Sequence, residues 1–413
     1  MKYKLIFGII FSGVFLISAC EKETEAAGHL PQTTTAITTA TETTVEKIPE
    51  ITEETVLTAA KIKSDKFFDN VKHLGRTYIS EDTIWCVLSG TGAEFTANGK
   101  QLVITLQGGN AASKSNNEKV YARVAVYVND ERLVDTQVDE ETKVIDVPLN
   151  PDEPSTVKII KLSEAMQSIF GISGITVDGG AGKISPVPEN DFLIEFVGDS
   201  VTCGYGVDAP DQSHKFSTET EDFTDTYAYL AAESLGADYS IIAYSGHGII
   251  SGYTASGVKQ PASVVPKYYG KIGNSSDRIG GTYPVDIDWD FSSKPDLIVV
   301  NLGANDESYC GDDLDRQAEY IEKYIEFIEE IRRVNPDAFI LCSLGVLGDR
   351  LCPCVEEAVK RYSEKTGDKN LDSLRFEVQI PDDGYGADWH PSAATHQKMA
   401  KKLTDWINAN IKK

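Results

Sequence analysis

Phe196-Val197-Gly198-Asp199-Ser200-Val201-Thr202 is the stretch on which the reading of this chain turns. The apolar run from Phe192 to Val197 predicts a buried strand, and Gly-Asp-Ser follows it directly. Such a triplet holds a serine hydroxyl at the edge of a sheet. A serine alone is a poor nucleophile. It needs a base to take its proton and donors to hold the oxyanion that forms. Taken singly, a Gly-Asp-Ser is more often a helix cap, so its meaning depends on what the rest of the chain supplies.

Downstream of Asp191 the pattern alternates strand and helix. Strands are predicted over 192–197, 239–244, 297–302, 339–344 and 374–380. Helices are predicted over 225–235, 314–334, 355–362 and 391–411. In the second of these, Ile321, Ile325, Ile328 and Ile331 share one face. Alternation of this kind makes a mostly parallel sheet with helices on both sides, and its ligands bind at the carboxyl ends of the strands.

Three further polar segments fall where that architecture needs them. Tyr244-Ser245-Gly246-His247-Gly248 follows one strand, and a glycine there lets a backbone N–H approach a substrate closely. Asn301-Leu302-Gly303-Ala304-Asn305-Asp306 follows the next, and Asn305 carries a neutral N–H donor suited to a developing oxyanion. Late in the chain, Asp388-Trp389-His390-Pro391 places a base at the predicted start of a helix. Asp388, two residues earlier, is in reach of its far ring nitrogen. Asp199 and Asp306 flank these groups and are expected to hold loops rather than do chemistry. His396 lies inside the last predicted helix and is expected to be packed or solvated.

In their order and spacing these segments resemble the four blocks of the SGNH (GDSL-like) hydrolase family. Carried over by position, the resemblance implies Ser200 as nucleophile, His390 as general base and Asp388 as the orienting acid. It implies the N–H groups of Ser200 and Gly246 and the Asn305 side chain as oxyanion donors, with no metal and no cofactor. There is no Gly-x-Ser-x-Gly at Ser200, which argues against an ordinary α/β-hydrolase elbow.

The upstream half reads differently. Short β-branched or aromatic runs at 84–88, 102–106, 124–128, 144–147 and 157–160 are separated by turn residues such as Asn98-Gly99 and Asn129-Asp130. They predict an antiparallel sandwich over 67–187, closed by the stiff connector Ser185-Pro186-Val187-Pro188, with the α/β domain over 188–413. This half narrows the resemblance. Leu162-Ser163-Glu164-Ala165-Met166, Gly174-Ile175-Thr176-Val177-Asp178-Gly179-Gly180 and the extended serine block Gly198 to Gly206 are similar to carbohydrate esterase family 2. So are Arg76-Thr77, Trp85 and Ser89-Gly90-Thr91-Gly92. The resemblance runs from about Arg76 to the C-terminus. It implies an all-β jelly-roll sandwich followed by an α/β SGNH-hydrolase domain, and an acetyl esterase acting on plant polysaccharides such as acetylxylan or acetylated glucomannan. The 6-O-acetyl group of a hexopyranose is a common preference in the family. Some members replace the acid of the triad by a backbone carbonyl. A non-catalytic glycan-binding lipoprotein, and an esterase for lipid or peptidoglycan O-acetyl esters, are the competing readings. Sugars stack on aromatic rings, so Trp289 and Trp389 are candidate platforms, and His247 a candidate pocket wall.

The N-terminus bears on the compartment. Lys2 and Lys4, the apolar run Leu5 to Ile17 and Ile17-Ser18-Ala19-Cys20 predict a leader over 1–19 too short to span a membrane. The cysteine after small residues resembles a bacterial lipobox, which implies lipidation of Cys20 and a cell-surface protein anchored to the membrane. The Thr/Glu-rich stretch over 20–66 has no hydrophobic period and reads as a disordered tether. A formal net charge of -25 argues against nucleic acid as a partner. Among the seven cysteines, Cys203 is expected to be a packing residue, and Cys352-Pro353-Cys354 lacks the second pair that a structural zinc needs.

Overall fold

A computed structural model describes residues 67–114 and 120–411. The expected leader, the tether and Cys20 lie outside the described residues. All described residues fall within one compact unit, Ile62–Lys413. No helix among them is long and apolar enough to cross a membrane.

The first half is two antiparallel sheets face to face. One runs β1 (Lys72–Leu74), β4 (Gly92–Asn98), β9 (Ser155–Lys161), β6 (Ala122–Val128) and β7 (Glu131–Val138), with β11 (Lys183–Pro186) also on β4. The other runs β2 (Tyr78–Ser80), β3 (Thr83–Cys86), β10 (Phe170–Val177), β5 (Gln101–Gly108) and β8 (Thr142–Pro148). A short helix, α1 (Asn110–Lys114), follows β5. Alternation sets which side chains go inward. In β5, Leu102, Ile104 and Leu106 are buried while Gln101 and Gln107 are exposed. They meet Phe95, Val124, Val126 and Ile159 of the facing sheet in one core. Asn129 and Asp130 join β6 to β7 with φ of 49° and 66°, the left-handed pair that a tight hairpin requires. The expected connector departs from prediction at its start. Ser185 and Pro186 still pair with Thr96 and Phe95, so the chain leaves the sheet only after Pro186.

The second half is a parallel sheet in the order β13 (Asp238–Ala243), β12 (Leu193–Gly198), β14 (Leu297–Asn301), β15 (Phe339–Leu344), β16 (Leu371–Arg375). Its last strand begins three residues before the expected Leu374 and ends at Arg375. The helices are α2 (Ser200–Cys203), α3 (Tyr227–Leu235), α4 (Ala304–Cys310), α5 (Leu314–Val334), α6 (Cys352–Thr366) and α7 (Ala393–Asn410). α5 buries Ile321, Tyr324, Ile325, Ile328 and Ile331 along one stripe, and Asp313 caps its start by accepting from the N–H groups of Asp315 and Arg316. Burying each such side chain contributes about 1.5–3 kcal/mol. α3 is capped by Thr226 and stopped by the left-handed Gly236. α7 starts later than expected. Ser392 is its cap, so Pro391 stands outside the helix.

Chain order and spatial order together locate the site. β12 lies between β13 and β14, which follow it in sequence, so the connections leave in opposite directions on either side of it. That reversal opens a crevice at the carboxyl ends of these strands. The register is level: Gly198 pairs across to Ala243 on one side and to Asn301 on the other. The Ser200, Gly246 and Asn305 segments therefore emerge side by side. The sandwich is welded to this half. Trp85, Val87, Leu88, Ala165 and Ile169 join one hydrolase-side core, and Ala125, Ile160 and Leu162 join the other.

Candidate active site

Ser200 opens α2 one residue after its cap. The Asp199 carboxylate accepts from Val201 N–H at 3.1 Å, so the capping role falls to Asp199 and leaves the Ser200 side chain available. His390 Nε2 lies 2.9 Å from Ser200 Oγ. His390 Nδ1 lies 3.1 Å from the Ala387 carbonyl oxygen, which can only accept. The proton is thereby fixed on Nδ1, and Nε2 accepts from the serine hydroxyl. Loss of water around the ring, which disfavours its charged form, pushes the His390 pKa down to about 4; the Ala387 carbonyl and the Asp388 charge act in the opposite sense.

Asp388 is not the partner of His390 Nδ1, contrary to the triad expectation. Its backbone is left-handed, φ 49°, as is that of Trp389, φ 67°. The turn leaves the carboxylate to accept from Tyr205 O–H at 3.0 Å, Lys215 Nζ at 2.6 Å and Phe216 N–H at 3.3 Å. Tyr205 in turn stacks on the His390 ring, centroids 3.9 Å apart and planes 25° from parallel. The aspartate thus bears on the base through Tyr205 and through its charge, and a backbone carbonyl takes the third position.

Two backbone N–H groups at this rim, those of Ser200 and Gly246, carry no hydrogen bond among the described residues. Gly246 has φ 74°, a conformation that favours glycine. Asn305 lies between their segments, but its amide is committed inward. Nδ2 donates to Asp199 Oδ2 at 3.1 Å and to the His247 carbonyl at 2.8 Å. It can serve an oxyanion only by sharing one of these hydrogens. Burial pushes Asp199 up to about 7, with the Asp306 charge adding to the rise and the Val201 and Asn305 donors opposing it. Asp306 accepts from the N–H groups of Ile249, Ile250 and Ser251 at 2.7–3.1 Å and so holds the Gly246 loop.

The aromatic and histidine candidates separate. Trp389 is 43% exposed beside His390, with Tyr385 at 5.1 Å between centroids. Trp289 is at the other end of the sheet, where β12 and β13 begin. It lines a cavity there together with Leu193 and Asp238 and faces the Arg76 guanidinium at 5.2 Å. The expectation of a platform beside the nucleophile fails for it because the long connection after Gly246 runs down to that end. The His247 side chain is buried, donates to Ser245 O at 3.0 Å and packs between Tyr244 and Tyr268, so it is no open pocket wall. His396 accepts from Tyr227 N–H at 3.1 Å and is packed. Cys203 is buried, as expected of a packing residue. The groups that sequence reasoning missed are Tyr205 and the Ala387 carbonyl. A backbone acceptor has no residue signature, whereas an aromatic five residues after the nucleophile was visible.

Comparison with known proteins bears on the fold and the family. The GDSL-like lipase/acylhydrolase family matches residues 194–403, and the carbohydrate esterase 2 N-terminal domain matches residues 73–188. The cellulase/esterase CelE of Acetivibrio thermocellus is 31% identical over 334 residues, covering 79% of this chain. The chain spans 38% of that relative's length. The acetylxylan esterase/glucomannan deacetylase of Cellvibrio japonicus is 28% identical over 274 residues, which are 63% of this chain and 71% of that protein. A family two carbohydrate esterase from Clostridium thermocellum, solved in complex with cellohexaose, superposes with a TM-score of 0.71 at 28% identity, over 83% of this chain and 99% of that one. An acetyl xylan esterase from Butyrivibrio proteoclasticus shares the fold, with a TM-score of 0.73 at 23% identity over 86% of this chain and 98% of that one. The chain belongs to the GDSL-like lipase/acylhydrolase family and, with the family 2 N-terminal domain ahead of its hydrolase domain, to carbohydrate esterase family 2.

Proposed function

We propose that this chain is a serine esterase that removes O-acetyl groups from plant cell-wall polysaccharides, acetylxylan or acetylated glucomannan, through an acetyl-serine intermediate. The observation that carries the reading is the 2.9 Å contact of His390 Nε2 with Ser200 Oγ beside two unpaired N–H donors. Ser200 Oγ attacks the acetyl carbonyl carbon while His390 Nε2 takes the hydroxyl proton. The oxyanion rests on the N–H groups of Ser200 and Gly246, and on Asn305 as one of its hydrogens is shared. The sugar oxygen leaves with the proton from His390. Water then attacks the acetyl-enzyme by the same route and acetate departs. Trp389 offers an exposed ring beside the base on which a pyranose can stack. The names of the relatives support the substrate class.

A second reading has one observation in its favour: a related esterase structure holds cellohexaose, an unacetylated glucan. Glucan binding in the same cleft is therefore the companion proposal. We also assign the sandwich as a jelly roll. The strands from β3 to β10 fall as 3-10-5-8 in one sheet and 4-9-6-7 in the other, which supports that connectivity. Anchoring through a lipid on Cys20 is proposed from the sequence alone, and palmitate labelling lost in Cys20→Ala tests it. For the esterase, Ser200→Ala is expected to abolish acetate release from acetylated glucomannan and from 4-nitrophenyl acetate. NMR during digestion reports which acetyl positions disappear. Release at the parent rate by the variant overturns the reading.

A further inference from the structure

Glu164 follows β9 in the sandwich half, yet its carboxylate reaches the rim of the hydrolase sheet. It is 1% exposed. Oε2 accepts from Ser245 N–H at 2.9 Å, and Cys203 S–H donates to the same oxygen at 3.9 Å. Ser245 directly precedes Gly246, and Cys203 ends the one-turn helix that Ser200 begins. One buried oxygen therefore touches both segments that present an unpaired N–H. Asn305 joins the same two segments through Asp199 and the His247 carbonyl.

The backbone that carries this carboxylate is itself held in place. Glu164 N–H donates to Glu221 Oε2 at 2.9 Å, and Lys161 Nζ donates to Glu164 O at 2.9 Å. Glu164, Cys203 and Glu221 also have the spacing of a metal cluster. The fully buried ammonium of Lys161 already supplies positive charge to both carboxylates there, and the Glu164 oxygen is already shared between two donors. Burying a carboxylate is costly where an apolar side chain would pack freely. What this carboxylate does that an apolar group cannot is accept from Ser245 N–H.

We infer that Glu164 is a positioning residue for the oxyanion site, fixing the Gly246 segment against α2 so that two N–H groups converge on one point. The sandwich on this account is part of the catalytic frame. The inference rests on the acyl-transfer reading above.

The test uses the purified full chain with 4-nitrophenyl acetate. Active sites are counted by stoichiometric reaction of Ser200 with an aryl phosphonate, so loss of folded protein does not register as loss of rate. Glu164→Met keeps the bulk and removes the acceptor. It should lower kcat per titrated site on the order of 10–100-fold, with KM within about twofold, because an ångström of misplacement costs about that much. Affinity for phenylboronic acid, which forms a tetrahedral adduct on the serine, should fall by a similar factor. Glu164→Gln retains an acceptor and should stay within about threefold of the parent on the same scale. If the Met variant does not fold, Glu164→Asp carries the test. Its retracted carboxylate should cost on the order of tenfold per site. Unchanged per-site kcat in Met or Asp, or equal losses in Met and Gln, overturns the inference. Hydrolysis surviving in Ser200→Ala overturns instead the acyl-transfer reading, and this one with it.

Discussion

The two ends of the parallel sheet differ in what their polar groups are doing. At the amino end, β12 and β13 begin beside a cavity of about 870 Å³ between sandwich and hydrolase. Both lysines of its wall are committed to partners. Lys72 Nζ donates to Asp238 Oδ1 at 2.5 Å and to Pro188 O at 3.2 Å, and Lys158 Nζ donates to Glu233 at 3.1 Å. None of the unpartnered buried side-chain atoms among the described residues belongs to its wall. At the carboxyl end, two backbone donors are unpaired and a histidine faces a serine. Chemistry sits where donors are left open, and space alone does not locate it.

The sharpest way to break that contrast is to remove a donor from the open end. Asn305→Ala is expected to lower kcat on the order of 10²–10³-fold, about 2.7–4 kcal/mol in the barrier, with KM for 4-nitrophenyl acetate little changed. A loss under about threefold would leave the two backbone N–H groups as the whole oxyanion site.

Acid should reach the open end next. The base must be neutral to take the serine proton, and its pKa is pushed down to about 4 by desolvation of the ring. Neutral imidazole therefore persists well below the ordinary histidine range. Titration of His390 should make kcat/KM fall tenfold per unit below about pH 4, and a step nearer neutrality reports Asp199, which is pushed up to about 7. Return to pH 7 should restore activity, which separates titration of His390 from acid unfolding. A tenfold-per-unit fall centred near pH 6.5 that persists in Asp199→Asn would mean that the ring is solvated like a free histidine.

Asp388→Asn should do much less. A carboxylate bonded to the far nitrogen of a catalytic histidine is worth about 10⁴ in kcat. Here that nitrogen is on the Ala387 carbonyl, and Asp388 acts through Tyr205. A loss below about fivefold is expected, and one near 10⁴ would restore the triad.

Much of this was legible in the chain. The parallel strands, the serine block and the Gly246 and Asn305 segments could be placed because strand periodicity fixes where a strand ends, and a parallel sheet puts those ends together. Asp388 misled because adjacency in sequence is not adjacency of side chains. Two left-handed residues, Asp388 and Trp389, turn the carboxylate aside; an aspartate visits that conformation occasionally, but a tryptophan does not advertise it. Glu164 stood in a block that carried the family resemblance, but its reach to Ser245 had no signal in the sequence, since the two are 81 residues apart. Trp289 misled for the reason already visible in the fold: a long connection between two rim segments is free to run to the far end.

The smallest activity effect is expected at that far end. The Trp289 ring faces the Arg76 guanidinium at 5.2 Å, and Arg76 is fully buried. It donates to Glu195 at 3.0 Å and to Tyr269 O at 2.5 Å. Removing the indole strips one wall from a buried ion pair and takes away a cation–π contact of about 1–2 kcal/mol, together with its apolar packing. Trp289→Ala should therefore lower the denaturant midpoint by the equivalent of about 2–4 kcal/mol. Its kcat and KM should stay within about twofold of the parent for aryl acetate and acetylated oligosaccharide alike. A selective loss on the oligosaccharide would mean that substrate reaches the amino-end cavity, and the two ends would no longer divide into a reactive rim and a satisfied one.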